Sequence, residues 1–316
     1  MSSIIQKVLD RTGHPELLRV LRDLSGSELN SLLLELFHEK TKTISAPRLL
    51  RNYQLNRFVK PAELPVLPLK ETEYDLLKIF KASSFEPIEL SPVTALGSCS
   101  VVAPANQSKI LSALRGTEVL ADGTNAMALH ISDLKKRSCW VPKFPSDKMR
   151  LATIQRHVRT QPITGKGFTP HFKIGCFATS GMDTGNLMFE RESMLEHVQL
   201  MKRIFENYYK VERMSLRLLC RTGYPDSFQL AKAVENYLSA NISNIRLDIV
   251  DRPEPHTAYY RGLQYKVDIQ WKQQTFEIGD GGFVDWTQQL LQNKKERFLI
   301  SGFGFEFMYR IINGLI

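Results

Sequence analysis

The chain is poor in cysteine. Its four, Cys99, Cys139, Cys176 and Cys220, stand alone among 316 residues, with no Cys-x-x-Cys pair and no nearby histidine. That pattern speaks against a zinc site and a disulfide framework and reads as reduced thiols. Long apolar runs are absent too: none nears the roughly 20 residues that cross a bilayer, and residues 1–16 lack the charged start and apolar middle of a signal peptide. The expectation is a cytoplasmic protein with no membrane segment. Hydrophobic content of 43% and aromatic content of 9% leave room for one large core or two modest ones.

Acidic residues are in the minority, 33 against 42 Lys and Arg, for a net charge of +9. Nearly all the excess sits between residues 133 and 173. There Lys135, Lys136, Arg137, Lys143, Lys148, Arg150, Arg156, Arg159, Lys166 and Lys173 face only Asp133 and Asp147. With Trp140, Phe144 and His157 interleaved, such a stretch suits an RNA-binding surface, and it suits a solvated basic face equally well.

Residues 1–65 read as helical. Ile4, Ile5, Val8 and Leu9, then Leu17, Leu18, Val20 and Leu21, then Leu29, Leu32, Leu33, Leu36 and Phe37 each recur at helical spacing. Ser25 or Ser27 is placed to cap the third helix, and Pro47 suits the first turn of a fourth. Pro61, Pro65 and Pro68 then mark a linker. The expected organisation is a small all-α domain, 1–65, followed by an α+β domain, 66–316, with a mixed, mostly antiparallel sheet flanked by helices.

In the second part, a helix at 71–82 leads into an extended run at 85–93 that includes Pro92. A strand ends on Asp122-Gly123-Thr124, before an apolar helix with Met127 and Leu129. Residues 171–179 read as a strand, 187–192 as its return, and 194–208 as a helix. The close of the chain runs from 254 to 310, with Tyr259 to Tyr265, an alternating stretch 266–278, Gly279-Asp280-Gly281-Gly282, and Ser301-Gly302-Phe303-Gly304-Phe305-Glu306. Glycines at strand ends form turns and bulges, or let a backbone lie close to a ligand.

The order of these segments over residues 71–316 resembles the catalytic core of class II aminoacyl-tRNA synthetases, most closely the histidyl-tRNA synthetase branch and the regulatory subunit of ATP phosphoribosyltransferase. The resemblance implies a homodimer built on the first motif, 71–93. It implies that Asp122 and Thr124 hold the ammonium of an amino acid, although Asp122 also fits an Asp-Gly turn. Arg261 matches the branch's catalytic arginine beside the α-phosphate and reacting carboxylate, and Tyr265 a substrate-binding tyrosine. Glu190 and Glu192 stand for the acidic residues of the second motif's return strand. That motif's arginine, near the end of its first strand, falls on Thr179. The third motif's arginine falls on Tyr309, with Arg310 one residue late, about 100° around the helix. Val284 replaces the tyrosine that helps to recognise imidazole, so histidine specificity is not implied.

With both ATP-binding arginines displaced, ordinary aminoacylation is not expected, because each lost donor raises such a barrier by on the order of 3 to 4 kcal/mol. The first expectation is a diverged synthetase-like paralogue that binds an amino acid or similar small molecule, RNA or a partner protein. The second is a ligase that forms an aminoacyl- or acyl-adenylate with ATP and Mg2+, using Arg261, Arg310 and Arg191. The third is a regulatory subunit that needs a partner enzyme.

Overall fold

The computed structural model describes residues 3–161, 169–252 and 258–316. Lys166 of the basic segment and residues 254–257 of the closing stretch lie outside these. Four helices come first: α1 (Ser3–Thr12), α2 (Leu17–Asp23), α3 (Gly26–Lys42) and α4 (Ala46–Leu55). Ser25 caps α3, its side chain accepting from Glu28 N–H while the Glu28 carboxylate accepts from Ser25 N–H, and Pro47 occupies the first turn of α4. Leu9 is the only fully buried apolar residue of these four helices among those described, while Leu32, Leu36, Phe37, Leu49 and Leu50 stay exposed.

The rest of the chain builds on one sheet. Helix α5 (Val66–Ala82) precedes β1 (Glu86–Pro87), and a small pair, β2 (Val93–Ala95) with β3 (Thr117–Val119), precedes α6 (Gly123–Lys136). A hairpin follows, β4 (Met149–Val158) and β5 (His171–Met182), and then α7 (Met188–Lys202), which continues as a wider turn through Tyr208. After these come β6 (Arg213–Cys220), α8 (Ser227–Asn241), β7 (Arg246–Val250), β8 (Leu263–Trp271), β9 (Gln274–Val284), α9 (Trp286–Leu291), β10 (Glu296–Phe303) and α10 (Phe305–Ile312). The sheet order is β1-β4-β5-β10-β9-β8-β6-β7, parallel only in its two edge pairs. No described helix is long and apolar enough to cross a membrane.

Alternation decides which side chains reach the site. On β8, Leu263, Tyr265, Val267 and Ile269 are fully buried in the main core beneath α7 and α8, and so Gln264 and Lys266 point to the other face. That other face is partly covered by α6 and α9, whose Met127, Ile131 and Trp286 pack on Met149, Ala178, Phe298 and Ile300. The main core also holds a run of hydrogen bonds. The Tyr265 and Ser301 hydroxyls are hydrogen-bonded to each other. Ser301 lies 2.5 Å from Nδ1 of His197, whose Nε2 lies 2.8 Å from the Thr179 hydroxyl. Leaving such a group unpaired in the core would cost about 1–3 kcal/mol.

Two expectations change here. Residues 187–192 are not a return strand, since Met188 to Glu192 form the first turns of α7, so the hairpin is β4–β5 and its first strand is 149–158. The basic segment hides this strand because its charges are neutralised from afar. Lys135 meets Glu296 at 2.6 Å, Lys148 meets Glu192 at 2.9 Å, Arg150 meets Glu196 at 2.8 Å, Arg156 meets Glu306 at 3.1 Å and Lys173 meets Glu73 at 2.5 Å. A run of positive charge in sequence is thus largely a set of ion pairs in space.

Candidate functional site

The half-open face of the sheet carries a cleft of two joined lobes. The inner lobe, about 240 Å³, is floored by Ile174 and Cys176 of β5, Ile278 to Asp280 of β9 and Ile300 to Phe303 of β10. The outer lobe, about 510 Å³, adds Cys99, Ala105, Ile110, Asn125, Arg221, Gln264 and Lys266. Asp122, Arg159, Tyr259, Tyr260 and Asp280 line both.

Asp122 is the N-cap of α6. Its Oδ1 accepts from the Thr124 N–H at 2.8 Å and the Thr124 hydroxyl at 2.6 Å, and its Oδ2 accepts from the Tyr259 hydroxyl at 2.7 Å. The capping bond fixes the carboxylate at the positive end of a helix. Beside it, Nε2 of His157 accepts from the Gly123 N–H at 2.7 Å. Burial drives the His157 imidazole down to about 4 against the pull of Asp122, and the Arg159 charge adds to the lowering. The ring is neutral near pH 7.

Arg159 directly follows β4. Its Nε donates to the Ala121 carbonyl at 3.3 Å and its guanidinium lies 5.6 Å from the centre of the Phe172 ring. Across the cleft, Oδ2 of Asp280 accepts from Tyr260 at 3.0 Å and from Nε2 of Gln264 at 3.1 Å. Burial, with the repulsion of Asp122 adding to it, pushes the Asp280 carboxyl up.

Solved structures share this architecture. The apo histidyl-tRNA synthetase of S. aureus superposes with a TM-score of 0.59 at 12% identity, over 82% of this chain and 70% of that one. A Bacillus halodurans ATP phosphoribosyltransferase regulatory subunit/histidyl-tRNA synthetase gives 0.57 at 12% identity, over 82% of both chains. The RNA-binding domain of a Cryptosporidium parvum threonyl-tRNA synthetase gives 0.58 at 14%, over 84% of this chain and 70% of that one. The fold is that of the class II synthetase core. No protein-family model matches the sequence, and no curated protein is similar to it.

Within that class II frame the expected residues part company. Asp122 and Thr124 do lie together at the cleft. Arg261 does not join them: it lines a separate cavity of about 140 Å³ with Tyr224, Phe283 and Gln288, its Nε donating to Asp285 at 2.9 Å. Tyr265 faces the main core, because its place in the alternation of β8 is that of the helix-covered side. Glu190 is buried against the Tyr224 hydroxyl at 2.8 Å and Nε of Arg297 at 3.1 Å, and Glu192 pairs with Lys148. Arg191 lies 5.5 Å from the Tyr237 ring, on α7 rather than in the cleft. Arg310 turns to Glu306 at 3.5 Å and the Glu63 carbonyl at 3.4 Å, while Tyr309 is buried in the core.

The corrected hairpin alters the second motif. The residue at the end of its first strand is Arg159, not Thr179, and it lines both lobes. Asp280, Asn125 and His157 are further cleft residues that the sequence reading did not place there. Residues 149–159 carried the signal for Arg159, since Met149 and Leu151 share its parity and pack on the α6 side. Among the described residues no three His, Cys, Asp or Glu converge as a metal-binding set.

Proposed function

We propose that the protein binds a free amino acid in the two-lobed cleft, the ammonium at Asp122 and the carboxylate at Arg159, and acts as a diverged synthetase-like binding protein. One observation carries this reading. Asp122 and Arg159 line the same cavity, and among the described residues neither has an oppositely charged side chain within ion-pair distance. A carboxylate fixed at a helix cap and a guanidinium without a carboxylate match the two ends of a zwitterion. Calorimetry or thermal shift with the twenty amino acids tests it. At least one should raise the melting temperature of the parent, and Arg159→Ala should weaken that binding by tenfold or more. A flat response of the parent would remove the reading.

The position of Arg159 supports a second reading, an adenylate-forming ligase with ATP and Mg2+ as cofactors. An arginine at the end of the hairpin's first strand is where the resemblance expects an α-phosphate ligand, and a fixed guanidinium there stabilises the charge that develops on phosphorus. Arg310, held by Glu306, lies outside the cleft lining, so the third motif's contribution is missing. Exchange of pyrophosphate into ATP that depends on one amino acid and is lost in Arg159→Ala would favour the ligase; binding without exchange would favour the binding protein.

A homodimer through α5 accompanies either reading. Val66, Leu67 and Tyr74 are exposed on that helix, and light scattering at micromolar concentration should give twice the chain mass. RNA binding through 133–173 gains little support, because most of its charge is paired within the fold.

A further inference from the structure

We propose that the ligand is an amino acid carrying a second amino group, an α,ω-diamino acid whose side-chain ammonium is bound at Asp280. This rests on the amino-acid reading above and adds a side chain to it. The cleft holds two carboxylates where a simple zwitterion needs one. They are built alike, by adjacent residues: Tyr259 donates to Asp122 at 2.7 Å and Tyr260 donates to Asp280 at 3.0 Å. Phenol donors hold a carboxylate in place without neutralising it, and among the described residues neither carboxylate has a cation within ion-pair distance.

The nearby cations are directed elsewhere. Lys266 binds Glu277 at 2.7 and 3.0 Å. Arg221 donates through Nε and Nη2 to Oε1 of Gln264, at 3.0 and 2.7 Å, and the same amide donates to Asp280. The neutral Gln264 therefore stands between Arg221 and the acid.

A third polar residue lines the outer lobe. Asn125, in the first turn of α6, is 1% exposed and lines the outer lobe, and its Oδ1 has no donor. The outer lobe also presents Ala105, Ile110 and Ala121, apolar surface suited to a short methylene chain. Two carboxylates in one partly apolar cleft suit a diamine, and Arg159 supplies the site for its carboxylate.

Isothermal calorimetry on the full chain with L-lysine, L-ornithine, L-norleucine and L-glutamate tests this. The parent should bind lysine or ornithine at least tenfold more tightly than norleucine, which has the same kind of chain without the charge. Asp280→Asn should bring that ratio close to one, and Asp280→Glu should restore part of it. Norleucine or glutamate binding as tightly as the better diamino acid would overturn the inference and leave the amino-acid reading standing. A ratio kept in Asp280→Asn would also overturn it. The parent ratio is decisive even if the Asp280 variants do not fold, and a parent that binds none of the four removes both readings.

Discussion

His157 couples the cleft to pH. Burial holds its ring neutral, down to about 4 against an ordinary 6.5. The unfolded chain therefore takes up a proton that the folded one refuses, and stability should fall as pH drops from 6.5 toward 4 and level off below. The loss is about 3 kcal/mol. Buried His197 is shifted in the same direction, so the comparison needs a variant. His157→Gln should flatten part of the slope between urea unfolding at pH 7 and at pH 4.5, and an unchanged slope would refute the assignment. At this scale the sequence was half legible. Asp122 and Thr124 could be placed because they match a short contiguous segment of the resemblance, whereas Arg159 sat in a basic run whose acid partners lie on distant elements. Tyr265 was misplaced by one step of alternation, since a motif match records identity and not the face of the strand.

Among elements, β9 and β10 show what their glycines are for. A Cβ on Gly281 would come within 2.5 Å of the Ile300 carbonyl oxygen and 2.6 Å of the Tyr265 ring. Gly302, on the cleft floor, has nothing nearer than 3.6 Å, the Ile174 methyl. The first glycine allows neighbouring strands to pack, a role the sequence did not suggest, and the second leaves room in a cavity. Gly281→Ala should destabilise by about 1–3 kcal/mol through overpacking. Gly302→Ala should change stability by less than about 0.5 kcal/mol while narrowing the inner lobe. Urea midpoints separate the two, and equal losses would contradict this account. The hairpin was the main element missed. Strand β4 is covered on both sides and its basic residues are ion-paired, whereas α3 announced itself by its cap and spacing.

For the molecule as a whole, burial is uneven. The sheet strands lie under helices, while among the described residues Leu9 is the only buried apolar side chain of α1 to α4, so their opening should cost far less than global unfolding. Native-state hydrogen exchange should find the amides of α1–α4 nearly unprotected and those of β5, β8 and β10 slowest; uniform protection would be contrary evidence. What holds the leading helices to the rest is a few polar ties. Asn30 accepts from the Arg115 N–H at 2.7 Å, Arg57 donates to the Thr160 and Gln161 carbonyls, the Lys60 carbonyl meets His171 at 2.6 Å, and the Glu63 carbonyl meets Arg310. The last of these joins residues 247 positions apart. At a synthesis rate of about 5–20 residues per second, the nascent helices emerge from the ribosome roughly 12 to 50 s before the segment that receives them. Through that interval the stretch after α4 lacks its last tie, while the exposed leucines and Phe37 of the leading helices are as bare as they remain in the finished fold.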